Sequence, residues 1–150
     1  MVRPRARRKV IAIDTNLLVY AAGQTSPQHE AAQAAIEQAR SHPEGWGVPF
    51  PVIAEFWSVI TGRSAGARPA TPAEAAWILA DLGAAGAQLW FPTPGTESAL
   101  RDLARKLDVR GARIFDLQIA LIARENGARE LWTHDAGFMP IPGLRLRDPL

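Results

Sequence analysis

Short apolar runs alternate with longer stretches of helical periodicity along this chain. Val10 to Ile13 is an unbroken apolar run that stops at Asp14, and Asn16 to Ala22 then resumes at helical length, which predicts a strand followed by a helix. Pro27 to Arg40 is alanine-rich with Glu30, Gln33, Glu37 and Arg40 spaced along it, a second helix that His42-Pro43-Glu44-Gly45 breaks. A short strand is expected over Gly47 to Phe50 and a helix over Val52 to Thr61, followed by a Gly- and Pro-containing loop, Gly62 to Pro72, that carries Arg63 and Arg68. Thr71-Pro72-Ala73-Glu74 supplies an N-cap, a proline at the first helical position and an acid three residues after the cap, so a helix should run to Leu82. Gln88 to Phe91 reads as a strand, Gly95 to Leu107 and Ile114 to Asn126 as helices, Glu130 to Thr133 as a strand, and Leu144 to Leu146 as an edge strand.

Strands that alternate with helices argue for an α/β fold layered around a mostly parallel sheet. At 150 residues the chain fits one domain, able to bury roughly 70% of its unfolded surface. Residues 1–9, with Arg3, Arg5, Arg7, Arg8 and Lys9 around Pro4, have no apolar periodicity and read as a basic, mobile tail. The absence of cysteine excludes a disulfide framework and thiolate metal sites. No apolar run approaches the roughly 20 residues of a membrane helix, so no membrane partner and a cytoplasmic location are expected.

Four acids give this pattern its chemistry. Asp14 follows the first strand and Asp135 lies just beyond Leu131-Trp132, and open α/β sheets bind ligands at the carboxyl ends of their strands. Projected at about 100° per residue, the helix from Ile114 to Asn126 places Asp116 away from its main polar stripe, beside Ile119, Ala120 and Ala123. Glu55 falls at the margin of an apolar arc of Val52, Ile53, Phe56, Trp57, Val59 and Ile60. Singly, each acid has an ordinary reading: Asp14 as a helix cap, Asp135 in a turn with Gly137, Asp116 as a helix N-terminal acid, Glu55 as a solvated flank. Together they imply a cation, since like charges about 4 Å apart repel by about 4 kcal/mol at an effective dielectric of 20. Hard oxygen donors without cysteine or paired histidines select Mg²⁺, with Mn²⁺ as substitute. Arginine supplies all but two of the seventeen basic residues, and arginine grips phosphate in bidentate geometry. A hard divalent ion beside such a surface points to phosphodiester chemistry.

The segments around these acids resemble the PIN-domain family, and most closely its VapC toxins. Ile11-Ala12-Ile13-Asp14-Thr15-Asn16 is similar to the family's opening strand and Asp motif, and Val52-Ile53-Ala54-Glu55 to its helix-borne Glu. Phe115-Asp116-Leu117-Gln118-Ile119-Ala120 resembles the third-acid helix, and Leu131-Trp132-Thr133-His134-Asp135-Ala136-Gly137-Phe138 the fourth-acid turn. The resemblance implies a PIN-like three-layer fold and an Mg²⁺-dependent endoribonuclease that prefers single strands, forms a homodimer and is silenced by a cognate antitoxin. RNA is the expected substrate, with tRNA and rRNA among the candidates and the target itself not named by the sequence. Asp14 and Asp116 would be the main metal ligands, Asp135 an outer ligand or water-positioning group, and Glu55 the residue that orients or deprotonates the attacking water. Thr15, Asn16 and Thr133 are the residue types that hold such carboxylates in place. Two positions depart from the family: Gly137 stands where many relatives carry a further acid, and Phe115 where a His often precedes the third acid.

Arg110 and Arg113, flanking a glycine just before Asp116, are the candidate RNA-phosphate contacts, whereas Arg101 has Glu97 one helical turn away. Trp57, Trp77, Trp90 and Trp132 sit in apolar patterns and are expected in the core; Trp46, between two glycines, is open. His134 reads as a surface or support residue. A PIN nuclease of RNA maturation or DNA processing would share all four acids, and a catalytically inactive partner-binding module is the rival of a different class. A dehalogenase-type phosphatase would need an acid at Asn16, and a receiver domain a lysine after Lys106; neither is present.

Overall fold

A computed structural model describes residues 10–63 and 68–150. The basic tail, and the part of the Gly62 to Pro72 loop at 64–67, lie outside the described residues. Five strands and six helices alternate: β1 (Val10–Ile13), α1 (Thr15–Ala22), α2 (His29–Arg40), β2 (Trp46–Pro49), α3 (Phe50–Thr61), α4 (Pro72–Ala84), β3 (Gln88–Trp90), α5 (Thr96–Lys106), α6 (Arg113–Glu125), β4 (Ala128–Trp132) and β5 (Arg145–Arg147). Every element expected from the hydrophobic pattern over these residues is present, displaced by at most two residues at its ends. The strands form one sheet in the order β3-β2-β1-β4-β5, and all of its ladders are parallel.

That order decides where a ligand can sit. The chain steps outward from β1 to β2 to β3, then crosses back to lay β4 against the other side of β1. α1 packs against α2 and α3, and α3 against α4, whereas α5 packs against α6; the right-handed rule for parallel crossovers assigns these two groups to opposite faces, the three-layer arrangement expected. The reversal makes the β1–β4 boundary a topological switch point, with a crevice at the carboxyl ends of those two strands. Ile13 pairs with Trp132 there, so the next residues, Asp14 and Thr133, are neighbours across the boundary. The Asp14 amide continues the ladder by donating to the Trp132 carbonyl at 3.0 Å.

The core fixes this edge. Ile11 and Ile13 of β1, Val48 of β2 and Leu131 and Trp132 of β4 are fully buried, against Leu17 of α1, Val52 and Phe56 of α3 and Leu117, Ile119, Leu121 and Ile122 of α6. Alanines 32, 35 and 39 give α2 a small buried face that lies close against α1. The Thr71 capping box is complete, its hydroxyl accepting from the Glu74 amide while the Glu74 carboxylate accepts from the Thr71 amide. Two tryptophans depart from the sequence expectation. Trp57 is 36% and Trp77 69% exposed, because α3 and α4 bury one narrow face each and Ala75 is the only fully buried residue of α4. Trp46, left open by the sequence, is in the core. No helix among the described residues is long and apolar enough to cross a membrane.

Trp90 lies flat against the backbone of Gly47, where an added Cβ would stand 2.5 to 2.8 Å from its indole ring. Both residues are buried, so the ring has nowhere to go. Gly47→Ala should therefore lower the unfolding free energy by about 1–3 kcal/mol. Gly83→Ala in α4, with nothing within 4 Å of its Cβ, should be neutral or stabilising by up to about 1 kcal/mol. Urea unfolding of both variants checks the pair, and equal effects would contradict the packing described.

Candidate active site

Asp14 is the fixed point of the site. It ends β1, caps α1 and is 5% exposed. One carboxylate oxygen accepts from the Thr15 amide at 2.8 Å, and the other accepts from the Thr133 hydroxyl at 2.8 Å and from the Asn16 side-chain amide at 3.4 Å. The sequence reading gave Asp14 a cap role or a catalytic one; its geometry accommodates both. Asn16 also donates to the Thr133 hydroxyl at 3.2 Å and accepts from the His134 amide at 3.1 Å, and that hydroxyl accepts from the Asp135 amide at 3.1 Å. Asn16 and Thr133 thus tie the start of α1 to the turn after β4. Thr15 holds Asp14 through its backbone amide, while its hydroxyl is buried with no hydrogen-bond partner among the described residues.

The other three acids come from different elements and are wetter. Asp116 sits in the first turn of α6 with its side chain 24% exposed, on the inward-leaning flank that its helical projection indicates. Glu55 on α3 and Asp135 after β4 are exposed. Asp135 does make the expected turn, one oxygen accepting from the Gly137 amide at 2.8 Å. The charges sense one another. Burial pushes the Asp14 carboxyl up from 3.8 to about 6, hydrogen bonds from Thr133 and Thr15 oppose the rise, and the charges of Glu55 and Asp116 add to it. Burial also raises Asp116; Arg113 pulls it down and the Asp135 charge pushes it up.

Among the described residues, no three acids or histidines converge closely enough to hold an ion as they stand. The donor chemistry nevertheless fits a hard divalent cation. All four groups are carboxylates, and a positive charge among them would relieve both the repulsion and the cost of burying ionised Asp14.

Arg113, at the start of α6, reaches Asp116 at 3.4 Å and donates to the Gly137 carbonyl. Arg110 is turned to Asp108 at 3.0 Å, and Arg101 to Glu97 at 3.1 Å. His134 is a support residue: its Nδ1 pairs with Asp148 at 2.8 Å and its ring meets Tyr20 edge-on. No sequence signal pointed to Asp148 or Tyr20, because both contacts are made by segments remote in the chain.

The raised Asp14 carboxyl has a consequence for the metal-free protein. Its folded value lies above its unfolded one, so the neutral acid favours folding; that contribution is complete below pH 3.8 and is lost as pH rises through about 6. In EDTA, stability should fall by about 1 kcal/mol between pH 5 and pH 7.5 on account of Asp14, and Asp14→Asn should remove that part of the fall. Urea unfolding at the two pH values measures it, and an identical pH dependence in the variant would contradict the assignment.

The PIN domain family model matches residues 11–143, a span that contains all four acids. The VapC ribonuclease Mb2897 of Mycobacterium bovis is 34% identical over 143 residues, covering 94% of this chain and 96% of its own length, and ribonuclease VapC43 of Mycobacterium tuberculosis matches to the same extent. Among solved structures, Mycobacterium tuberculosis VapC20, a Sarcin-Ricin loop cleaving toxin, superimposes with a TM-score of 0.67 at 17% identity, over 85% of this chain and 92% of that one. VapBC-1 from nontypeable Haemophilus influenzae gives a TM-score of 0.61 at 18% identity, over 93% and 98%. Fold, switch-point acids and sequence agree, and the chain belongs to the PIN-domain family, among its VapC ribonucleases.

Proposed function

We propose that this chain is a Mg²⁺-dependent endoribonuclease toxin, with Mn²⁺ as a substitute ion, that cuts single-stranded RNA and is held inactive by a cognate antitoxin. The observation that carries this reading is the meeting of charges at the β1–β4 switch point, where Asp14 is buried and senses Glu55 and Asp116 while Asp116 senses Asp135.

Asp14 and Asp116 would hold the ion, with Asp135 as an outer ligand or water-positioning group. A divalent ion supplies Lewis-acid chemistry there, lowering the pKa of a bound water and offsetting charge on the phosphate. Glu55, exposed and free to change partners, orients the attacking water and takes its proton. Asn16 and Thr133 keep Asp14 aimed, and the Thr133 hydroxyl aligns the Asp135 backbone with it. Arg113 beside Asp116, with Arg110 beyond it, would meet the RNA phosphates. Phe115, directly before Asp116 and 58% exposed, offers an unpaired base a face to stack on, which favours single strands.

The partner reading has separate support. A groove of about 850 Å³ runs between α1, α2, α3 and α4, lined by Leu18, Phe56, Ile78 and Leu82 with Trp77 on its rim. Exposed Trp77 and the acids Glu30 and Asp81 around that groove, where Glu37 is paired with Arg40, suit a basic amphipathic segment of an antitoxin. VapBC2 from Rickettsia felis, of the same fold, was solved bound to a DNA fragment from their promoter, a precedent for a toxin–antitoxin pair. Homodimerisation draws support from a second apolar surface, where Phe50 and Phe91 stack at 5.2 Å and Leu89 lies exposed on the edge strand β3.

Purified protein should cut single-stranded RNA, tRNA and rRNA included, with Mg²⁺ or Mn²⁺ and lose that activity in excess EDTA. A gel assay of cleavage products decides it, and undiminished cleavage in EDTA would remove the mechanism.

A further inference from the structure

Arg113 occupies a position that helix physics does not favour. It is the first residue of α6, and a cation at a helix N-terminus opposes the macrodipole. Its surroundings account for it. The guanidinium reaches the Asp116 carboxylate at 3.4 Å and the Gly137 carbonyl, so one side chain links α6 to the turn that carries Asp135. Its positive charge lies beside Asp116, which feels the negative charge of Asp135.

Gly137 makes this seat. Its φ is not in the left-handed region, unlike that of five other glycines in the described residues, so the backbone does not require glycine there. What glycine provides is room: a Cβ at this position would stand 2.8 Å and 3.1 Å from the two terminal nitrogens of Arg113 and 3.3 Å from Asp135 Oδ1. The chain has no further acid at that point, and the space holds an arginine.

We propose that Arg113, seated against Gly137, is a built-in competitor for the metal: in the metal-free enzyme it serves as the counter-cation of Asp116, and a divalent ion binds by displacing it. The inference rests on the reading that these carboxylates hold such an ion. The contact is weak enough to exchange, since Arg113 is half exposed and its distance to Asp116 is long. Arg110, by contrast, is engaged with Asp108 and is no part of this seat. Arg113 therefore lowers metal affinity in the resting enzyme, and its displacement frees a guanidinium beside the scissile phosphate.

Calorimetric titration with Mn²⁺ alone, without RNA, tests the competition. Arg113→Ala should bind Mn²⁺ about two- to fivefold more tightly than wild type, although the same change slows RNA cleavage. Gly137→Ala, which retains Arg113 and dislodges it, should also bind more tightly, and should add nothing in an Arg113→Ala background. Unchanged or weaker binding by Arg113→Ala overturns the proposal, as does a Gly137→Ala effect that persists without Arg113, since that effect would then belong to Asp135. Asp116→Asn separates this inference from the reading beneath it. If wild type binds Mn²⁺ no better than Asp116→Asn, the metal site itself falls; if Asp116→Asn loses binding while the Arg113 and Gly137 variants match wild type, only the competition falls.

Discussion

The structure turns on a buried carboxylate held across the boundary between two parallel strands. Asp14 continues the β1–β4 ladder through its amide and closes it through its side chain, which accepts from Thr133 just past the end of the neighbouring strand. An ionised carboxylate at that depth is costly, and the Thr133 hydroxyl and Thr15 amide only partly offset the cost, leaving the acid at about 6. The residual demand for positive charge is what the rest of the site is arranged around. Glu55 and Asp116 increase it, and Arg113 offsets the charge of Asp116 at the rim.

Stability and function are divided between two regions of the same edge. The hydrophobic layer formed by β1, β4 and α6 is fully buried and sets the strand ends rigidly. Above it, Asp14 is fixed by hydrogen bonds, Asp116 is fixed by its helix but partly wet, and Glu55 and Asp135 are exposed. Rigid placement suits groups that hold an ion, and exposure suits groups that handle water and substrate.

Much of this was legible in the sequence, for identifiable reasons. The strands and helices followed from apolar runs and caps, and the capping box at Thr71 was readable residue by residue because it is local. Asp14, Glu55, Asp116 and Asp135 each have an ordinary role singly, and only their combination and their resemblance to the PIN-domain motifs singled them out as candidates. Long-range features were not readable. Trp57 and Trp77 fall on apolar helical arcs, but which arc has a neighbour depends on how α3 and α4 lie on the sheet. That Thr15 reaches Asp14 through its backbone amide is not legible from residue type. The seat of Arg113 on Gly137 joins residues 24 apart in sequence, and glycine there registers in sequence only as a missing acid.

The central claim is that the four carboxylates act as one charged cluster and not as four separate surface acids. The thermal melt of Asp116→Asn beside wild type, each with and without Mg²⁺, tests it most directly, with RNA cleavage followed in parallel. Removing one charge from a crowded site relieves repulsion, so metal-free Asp116→Asn should be at least as stable as wild type. Mg²⁺ binds only the folded form and should raise the melting temperature of wild type and much less that of the variant, which should also be inactive. A variant that is less stable by about 1 kcal/mol, as neutralising a helix-dipole acid would make it, and that keeps both its Mg²⁺ response and its activity would contradict the account.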